Sequence, residues 1–187
     1  YNNDNSKCEF PNSIIVKYAN SAQYSNGFQI NPRTGINFIS YNNINYRNNE
    51  TLEIPANTEI KIYFFDDVTS LESLFDSSFD TNAQKIISVD LSNFNSSLIT
   101  NVNNMFKGCS SITSINFSNF ITSKINTMKN IFYGCSSLES IDLSNFDTSS
   151  VINMEYMFYE CSALQSLTLS NNFITSSVTN MEYMFYG

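Results

Sequence analysis

The sequence predicts an α/β solenoid, a right-handed stack of strand-plus-short-helix coils that follows an N-terminal antiparallel β domain. Three observations predict this fold: self-similarity at 26 residues, a change of hydrophobic period inside each repeat, and an N-terminal third without the repeat. The boundary is expected between residues 67 and 68. A chain of 187 residues is long enough to bury a sizeable core.

The repeat is clearest in residues 138–163, which read LESIDLSNFDTSSVINMEYMFYECSA. Equivalent positions recur 26 residues apart, for example at Leu91, Phe117, Leu143 and Leu169. One extra residue at positions 171–172 lengthens the last step to 27 and shifts every later position together. Such a shift is typical of a loop bulge in a stack of coils.

Each repeat is predicted to contain a strand and a short helix. Ile141 and Leu143 alternate with polar neighbours, which favours a strand. Apolar residues then recur at spacings of three and four, which favours one face of a helix, at Val151, Met154, Met157 and Phe158. A parallel strand–crossover–strand unit is expected to be right-handed. Residues 68–75 resemble a degenerate first helix, and about four coils follow, the last one incomplete.

Residues 1–67 show short alternating apolar runs instead, at Ile14-Val16-Tyr18, Phe28-Ile30, Ile36-Phe38, Leu52-Ile54 and Ile60-Ile62-Phe64. Turn-forming pairs such as Asn26-Gly27 separate these runs. They predict a small antiparallel β domain that also shields the first coil. At the other end, the next cysteine position falls one residue beyond Gly187, and we expect further repeats to follow.

Composition argues against several function classes. Lys and Arg number 9 against 17 Asp and Glu, so no basic stripe is available for nucleic acid. The longest aliphatic–aromatic run, residues 62–65, is far too short to span a membrane. Histidine is absent, which removes the commonest general base and metal ligand. We therefore expect no catalysis, no metal, no cofactor, no nucleic-acid partner and no membrane insertion by this segment.

The segment L-x-S-I-D-L-S-N-F followed by V-x-N-M-x-x-M-F-Y-G-C is similar to the BspA-type surface leucine-rich-repeat family. The resemblance covers about residues 68–187, with Leu138, Ile141 and Leu143 at the usual L-x-x-L-x-L places. It implies a leucine-rich-repeat-like stack, horseshoe-shaped or nearly straight. It also implies a secreted or surface-displayed protein of a microbe or protist that adheres to host or matrix molecules.

Three cysteines share one position of the repeat, at Cys109, Cys135 and Cys161. Stacked coils hold equivalent Cβ atoms about 4.8 Å apart, whereas a disulfide needs about 3.8 Å. We therefore expect a structural ladder of buried free thiols. Cys8 has no evident partner and is either free or paired outside this segment.

Two surfaces are candidates for ligand binding. Ser140, Asp142 and Ser144 lie on the exposed strand face, whose alternative interpretation is a solvated sheet. Tyrosines off the apolar helix face form a second candidate, at Tyr133, Tyr156, Tyr159, Tyr183 and Tyr186. Stacked coils would collect them into an aromatic stripe suited to a protein or a sugar ring, unless they only pack against one another.

Asn49, Asn95 and Asn116 lie in N-x-S/T sequons and are candidate glycosylation sites if the chain is secreted by a eukaryote. Together these features favour a non-catalytic protein of the extracellular space or cell surface. Its predicted partner is a protein or a carbohydrate. The alternative is a structural subunit whose last coil meets the N-terminal domain of the next copy in a head-to-tail filament or surface fibre.

Overall fold

The structure is a computed structural model that describes residues 12–20, 22–24, 36–41, 44–46, 52–64 and 67–187. The run at Phe28 and Ile30 lies outside these residues. The ten described strands are β1 Ser13–Tyr18, β2 Ala22–Tyr24, β3 Ile36–Tyr41, β4 Ile44–Tyr46, β5 Leu52–Ile54, β6 Thr58–Phe64, β7 Ile86–Asp90, β8 Ser114–Asn116, β9 Ser140–Leu143 and β10 Ser166–Leu169. A 3-10 helix covers Thr81–Lys85.

The strands before and after the predicted boundary share one sheet. Its order is β4-β3-β6-β1-β7-β8, and β1 pairs antiparallel with both β6 and β7. The strands β9 and β10 form a separate parallel pair, and β2 and β5 form an antiparallel pair. The first repeat strand is therefore covered on its outer edge by β1.

Successive repeats lie in register, equivalent residue beside equivalent residue. In β7 and β8, Ser88 pairs with Ser114, and in β9 and β10, Ser140 pairs with Ser166. A second parallel ladder of single bridges joins the other side of the coils, through Ser70, Asn101, Thr127, Asn153 and Asn180. The bridge ladder thus joins successive coils throughout, and strand pairing reinforces it between β7 and β8 and between β9 and β10.

The predicted α/β solenoid with short helices is wrong. The described residues contain strands, turns and small mixed sheets, and they contain no α-helix. In residues 151–160 the Met157 N–H donates to the Met154 carbonyl three residues back, at 3.2 Å. The Tyr156 N–H donates across to the Glu182 carbonyl of the next coil, at 2.9 Å. An α-helix would instead direct every N–H to the fourth residue back.

The error has a physical cause. Consecutive turns bury residues at steps of three and four, so Val151, Met154, Met157 and Phe158 all lie in the core without a helix. The expected degenerate helix of residues 68–75 forms turns of the same kind. Tyr156 and Glu160 have positive φ values of 55°, a conformation that ends any right-handed helix.

The core is continuous from the N-terminal strands into the repeats. Ile14, Val16 and Ile62 are fully buried, and the Phe64 ring packs edge-on against Phe94 at 5.0 Å between centroids. Phenylalanines form a stacked column through the coils, with centroid distances of 5.2–5.9 Å, at Phe75, Phe106, Phe132, Phe158 and Phe185. Of these rings, all but Phe185 are buried, and their burial contributes to the stability of each coil.

Candidate functional site

Five tyrosines on the turn side of the coils form one surface, here called the tyrosine face: Tyr133, Tyr156, Tyr159, Tyr183 and Tyr186. Tyr133 stacks on Tyr159 at 4.7 Å between centroids, and Tyr159 stacks on Tyr186 at 5.2 Å. Tyr156 stacks on Tyr183 at 5.3 Å in a second column. The structure therefore collects the predicted tyrosines into two adjacent columns.

The orientation of the rings decides what the tyrosine face can offer. Neighbouring rings within a column are nearly parallel, with interplanar angles of 11–13°. Their faces cover one another, and the outer face of Tyr133 meets the Lys107 ammonium at 5.9 Å. Where two rings stack, a ligand can therefore contact only their edges and hydroxyl groups. Such a ligand would bind by hydrogen bonds and shape complementarity and not by stacking on a ring face.

Carboxylates surround the tyrosines. Glu155 pairs with Lys129 at 2.8 Å. Partial desolvation, together with the charges of Glu182 and Glu155, raises the pKa of the Tyr156 phenol. Desolvation and Glu160 raise the pKa of Tyr159 in the same way. Both hydroxyls therefore keep their protons at neutral pH and can donate hydrogen bonds.

A furrow of about 490 Å³ runs beside the tyrosine face and crosses several coils. Its lining includes Ser110, Ser136, Ser162, Gly108, Gly134 and Tyr133. Gly108 and Gly134 have φ values of +73° and +70°, a conformation that glycine adopts without steric cost. Glu160 stands at the equivalent place in the third coil with φ 55°, and it also lines the furrow.

The three repeat cysteines are buried and free. Each thiol donates to a phenylalanine carbonyl of the preceding coil at 3.1–3.2 Å. Burial raises the pKa of Cys109 and Cys135 well above the ordinary range and that of Cys161 to about 12. Protonated, buried thiols are poor nucleophiles and poor metal ligands. Cys8 lies outside the described residues.

Comparison with known proteins identifies a family. The family model described as "Mycoplasma protein of unknown function, DUF285" matches residues 69–187. The chain belongs to this family. Searches of the curated proteins and of the solved structures found no match. The DUF285 match begins just before the bridge at Ser70, so it contains all the stacked repeats.

The strand face of the DUF285 region has a structural task. Ser140, Asp142 and Ser144 are all exposed on and after β9. Asp142 accepts the Ser144 N–H at 2.8 Å, and hydrogen bonds from the Ser144 hydroxyl and N–H hold the pKa of Asp142 below its ordinary range. Asp90 and Asn116 accept the equivalent bonds in their coils. These side chains close the turn after the strand.

The sequons lie in different surroundings. Asn95 is exposed, and its side-chain oxygen accepts the Ser97 N–H at 3.2 Å. The Asn116 amide nitrogen donates to Asp90 at 3.0 Å. Asn49 lies outside the described residues.

Among the described residues, no three His, Cys, Asp or Glu side chains are grouped so that they could hold a metal ion. The search for membrane-spanning helices, limited to the same residues, found no helix of sufficient length and apolar character.

Sequence reasoning missed the furrow. Its serines follow each repeat cysteine directly, at Ser110, Ser136 and Ser162. The 26-residue spacing was available as a signal, but the furrow depends on the conformation of the turns, which that spacing does not specify. Four of its lining residues, Gly108, Gly134, Glu160 and Gly187, have positive φ.

Proposed function

We propose that this DUF285 protein is a non-catalytic binding module of the extracellular space or cell surface that acts through its tyrosine face. The supporting observation is the face itself, five tyrosines held in two rigid columns beside a furrow. Tyr133, Tyr156 and Tyr159 remain partly exposed although each of them packs on neighbouring rings. Rings fixed in advance lose little conformational freedom on binding.

The chemistry of the chain supports binding over catalysis. The sequence has no histidine, and the three repeat cysteines are buried with raised pKa values. The net charge of −8 disfavours nucleic acid and anionic lipid surfaces as partners. A protein or a carbohydrate of a cell surface remains as the partner class.

The alternative is the structural subunit of a head-to-tail filament. In such a filament, the last coil of one copy would meet the N-terminal domain of the next. At the other end, however, β1 already occupies the outer edge of β7. A second copy therefore has no free repeat strand to pair with there, and this observation favours the binding module.

The test uses substitutions that the repeat itself supplies. Asn104 and Asn130 occupy the positions of Tyr156 and Tyr183 in the first two coils, and they hydrogen-bond to each other at 2.8 Å. The double variant Tyr156→Asn/Tyr183→Asn continues this asparagine column and is expected to fold. Beads coated with the wild-type chain should adhere to epithelial cell layers or extracted matrix, and the double variant should lose most of this adhesion.

The matched control is Ser140→Ala/Asp142→Ala on the strand face, which should adhere as the wild type does. Equal adhesion by the tyrosine variant would contradict the role of the tyrosine face. If neither cells nor matrix retain the wild-type beads, and sedimentation shows large polymers of the purified chain, the filament is the better account.

A further inference from the structure

The furrow has a regular construction along its length. Each coil it crosses supplies one residue two positions after its stacked phenylalanine, here called the floor positions: Ser77, Gly108, Gly134, Glu160 and Gly187. A serine lies two residues after Gly108, Gly134 and Glu160, and Tyr133, at the edge of a tyrosine column, also lines the furrow. Its volume of about 490 Å³ lies within the range of about 300–1,000 Å³ usual for small-ligand sites.

We infer that this furrow binds a neutral, linear chain of pyranose sugars, with about one ring for each coil. This inference rests on the proposed function and names its ligand class. Successive coils are separated by 4.7–5.2 Å at the tyrosine column, so equivalent hydroxyl groups recur at that step. An extended pyranose chain advances by a similar step per ring, so one ring lies beside each coil, and rings two apart present the same edge to coils two apart.

The lining has the chemistry of a sugar site. Serine hydroxyls, the Tyr133 phenol and the Gln84 amide can both donate and accept hydrogen bonds, as sugar hydroxyls do. Among the described residues that line the furrow, Glu160 carries the one formal charge, and a carboxylate accepts two hydrogen bonds from a vicinal diol. The same described lining contains no cation, and the nearby Lys107 ammonium lies over the Tyr133 ring, so a sulfated or uronic acid chain would find no ion-pair partner in the furrow to offset the Glu160 charge.

A peptide fits the furrow less well. A strand advances about 3.3 Å per residue and repeats its facing side chains at about twice that distance, so it drifts out of register with the coils. Strand addition needs free backbone groups, but the Gly108 and Gly134 N–H groups already donate to Tyr133 and Tyr159 carbonyls, both at 2.7 Å. Proline-rich peptides dock on aromatic ring faces, and here stacking covers those faces.

The experiment measures binding of defined oligosaccharides to the purified chain by saturation-transfer NMR and calorimetry. The probes are cello-, malto- and chito-oligosaccharides of two to six rings. For the series that binds, affinity should rise with ring number and level off near five rings, one for each coil from Ser77 to Gly187. A heparin hexasaccharide of similar length should bind more weakly than the neutral chain.

A plug variant links the binding to the furrow. Ser136 is exposed, so Ser136→Tyr fills the furrow without entering the core, and it should weaken binding at least about tenfold. Ser118→Tyr, an exposed serine of the same coil outside the furrow, is the matched control and should leave affinity within about twofold. Thermal unfolding of both variants verifies that they fold.

The inference would be overturned if none of the neutral oligosaccharides binds, or if Ser136→Tyr leaves their binding unchanged. It would also be overturned if peptides from a random extended library bind the wild-type chain and lose this binding in Ser136→Tyr. Periodate treatment of the cell layers, which oxidises glycans, distinguishes failure of the glycan inference from failure of the proposed function.

If adhesion survives periodate but is lost in Tyr156→Asn/Tyr183→Asn, the chain is a binding module whose partner is not a glycan. Loss of adhesion after periodate is the expected result.

Discussion

Glu160 occupies a position where the repeats before and after it have glycine, at Gly108, Gly134 and Gly187, while the degenerate first coil has Ser77. Its backbone φ of 55° lies in the left-handed region, where the Cβ atom of any residue other than glycine approaches the following carbonyl oxygen. The backbone is held there because the Glu160 N–H donates to the Tyr186 carbonyl of the next coil, at 2.8 Å. We expect Glu160→Gly to stabilise the protein.

The magnitude follows from two opposing contributions. A non-glycine residue in the left-handed region costs about 1–2 kcal/mol, which the variant recovers. Glycine adds conformational freedom to the unfolded chain, which costs about 0.5–1 kcal/mol. The free energy of unfolding should therefore increase by up to about 1.5 kcal/mol, with a midpoint of about 0.75 kcal/mol, and at that midpoint Tm should rise by about 1.5–3 °C for a chain of this size.

The assay is thermal unfolding followed by circular dichroism at neutral pH. Glu182→Gly is the matched control, since Glu182 is an exposed glutamate one coil further with an ordinary backbone, and it should lower the stability. Gly134→Ala tests the reverse change: its added Cβ would lie 3.6 Å from the Gly108 Cα, an ordinary contact, so only the backbone conformation is penalised. A Tm of Glu160→Gly at or below that of wild type would refute the reasoning.

Three further predictions concern the core. Phe132→Ala should lower the free energy of unfolding by about 3–5 kcal/mol in chemical denaturation, because the buried Phe132 ring stacks on Phe106 and Phe158. The control Phe79→Ala should change it by less than about 0.5 kcal/mol, because Phe79 is 73% exposed. Thr148→Val should cost about 1–3 kcal/mol in the same assay, since its buried hydroxyl donates to the Ile174 carbonyl at 2.8 Å and the change leaves that acceptor without its donor. Burial raises the pKa of the Cys161 thiol from 9.0 to about 12. The protonated thiol therefore makes its full contribution to the free energy of unfolding below pH 9, and this contribution is lost as the pH rises from 9 to 12. Tm measured across that window should therefore fall less steeply in Cys161→Ala than in wild type, and an equal slope would contradict this assignment.

The repeat register was predictable because it depends on identities that recur at a fixed step. Ser88 pairs with Ser114 and Ser140 with Ser166 because a shift of one residue would turn Val89 or Ile141 out of the core. The columns of apolar side chains are likewise visible in the sequence by itself. The same holds for the tyrosines, whose spacing alone brings them together.

The local conformation was not predictable from that pattern. Spacings of three and four are shared by a helix and by a series of turns, and the hydrogen bonds that distinguish them join different coils. Asn104, Asn130 and the repeated glycines favour the left-handed region and were the available signal, but Tyr156 and Glu160 adopt it as well and conceal the pattern. The furrow depends on those same residues, so it could not be found from the sequence without the turn assignment.

The alternation of turn bonds and inter-coil bonds has an evolutionary consequence. On the turn side, successive coils present equivalent backbone donors and acceptors: the N–H groups of Gly108, Gly134 and Glu160 each donate to a tyrosine carbonyl of the following coil. A duplication or deletion of one complete unit of 26 codons therefore creates no unfamiliar interface and leaves no orphaned amide. Such a gene can therefore gain or lose whole repeats. An insertion of any other size must form a local bulge within one coil, as at Asn171 and Asn172.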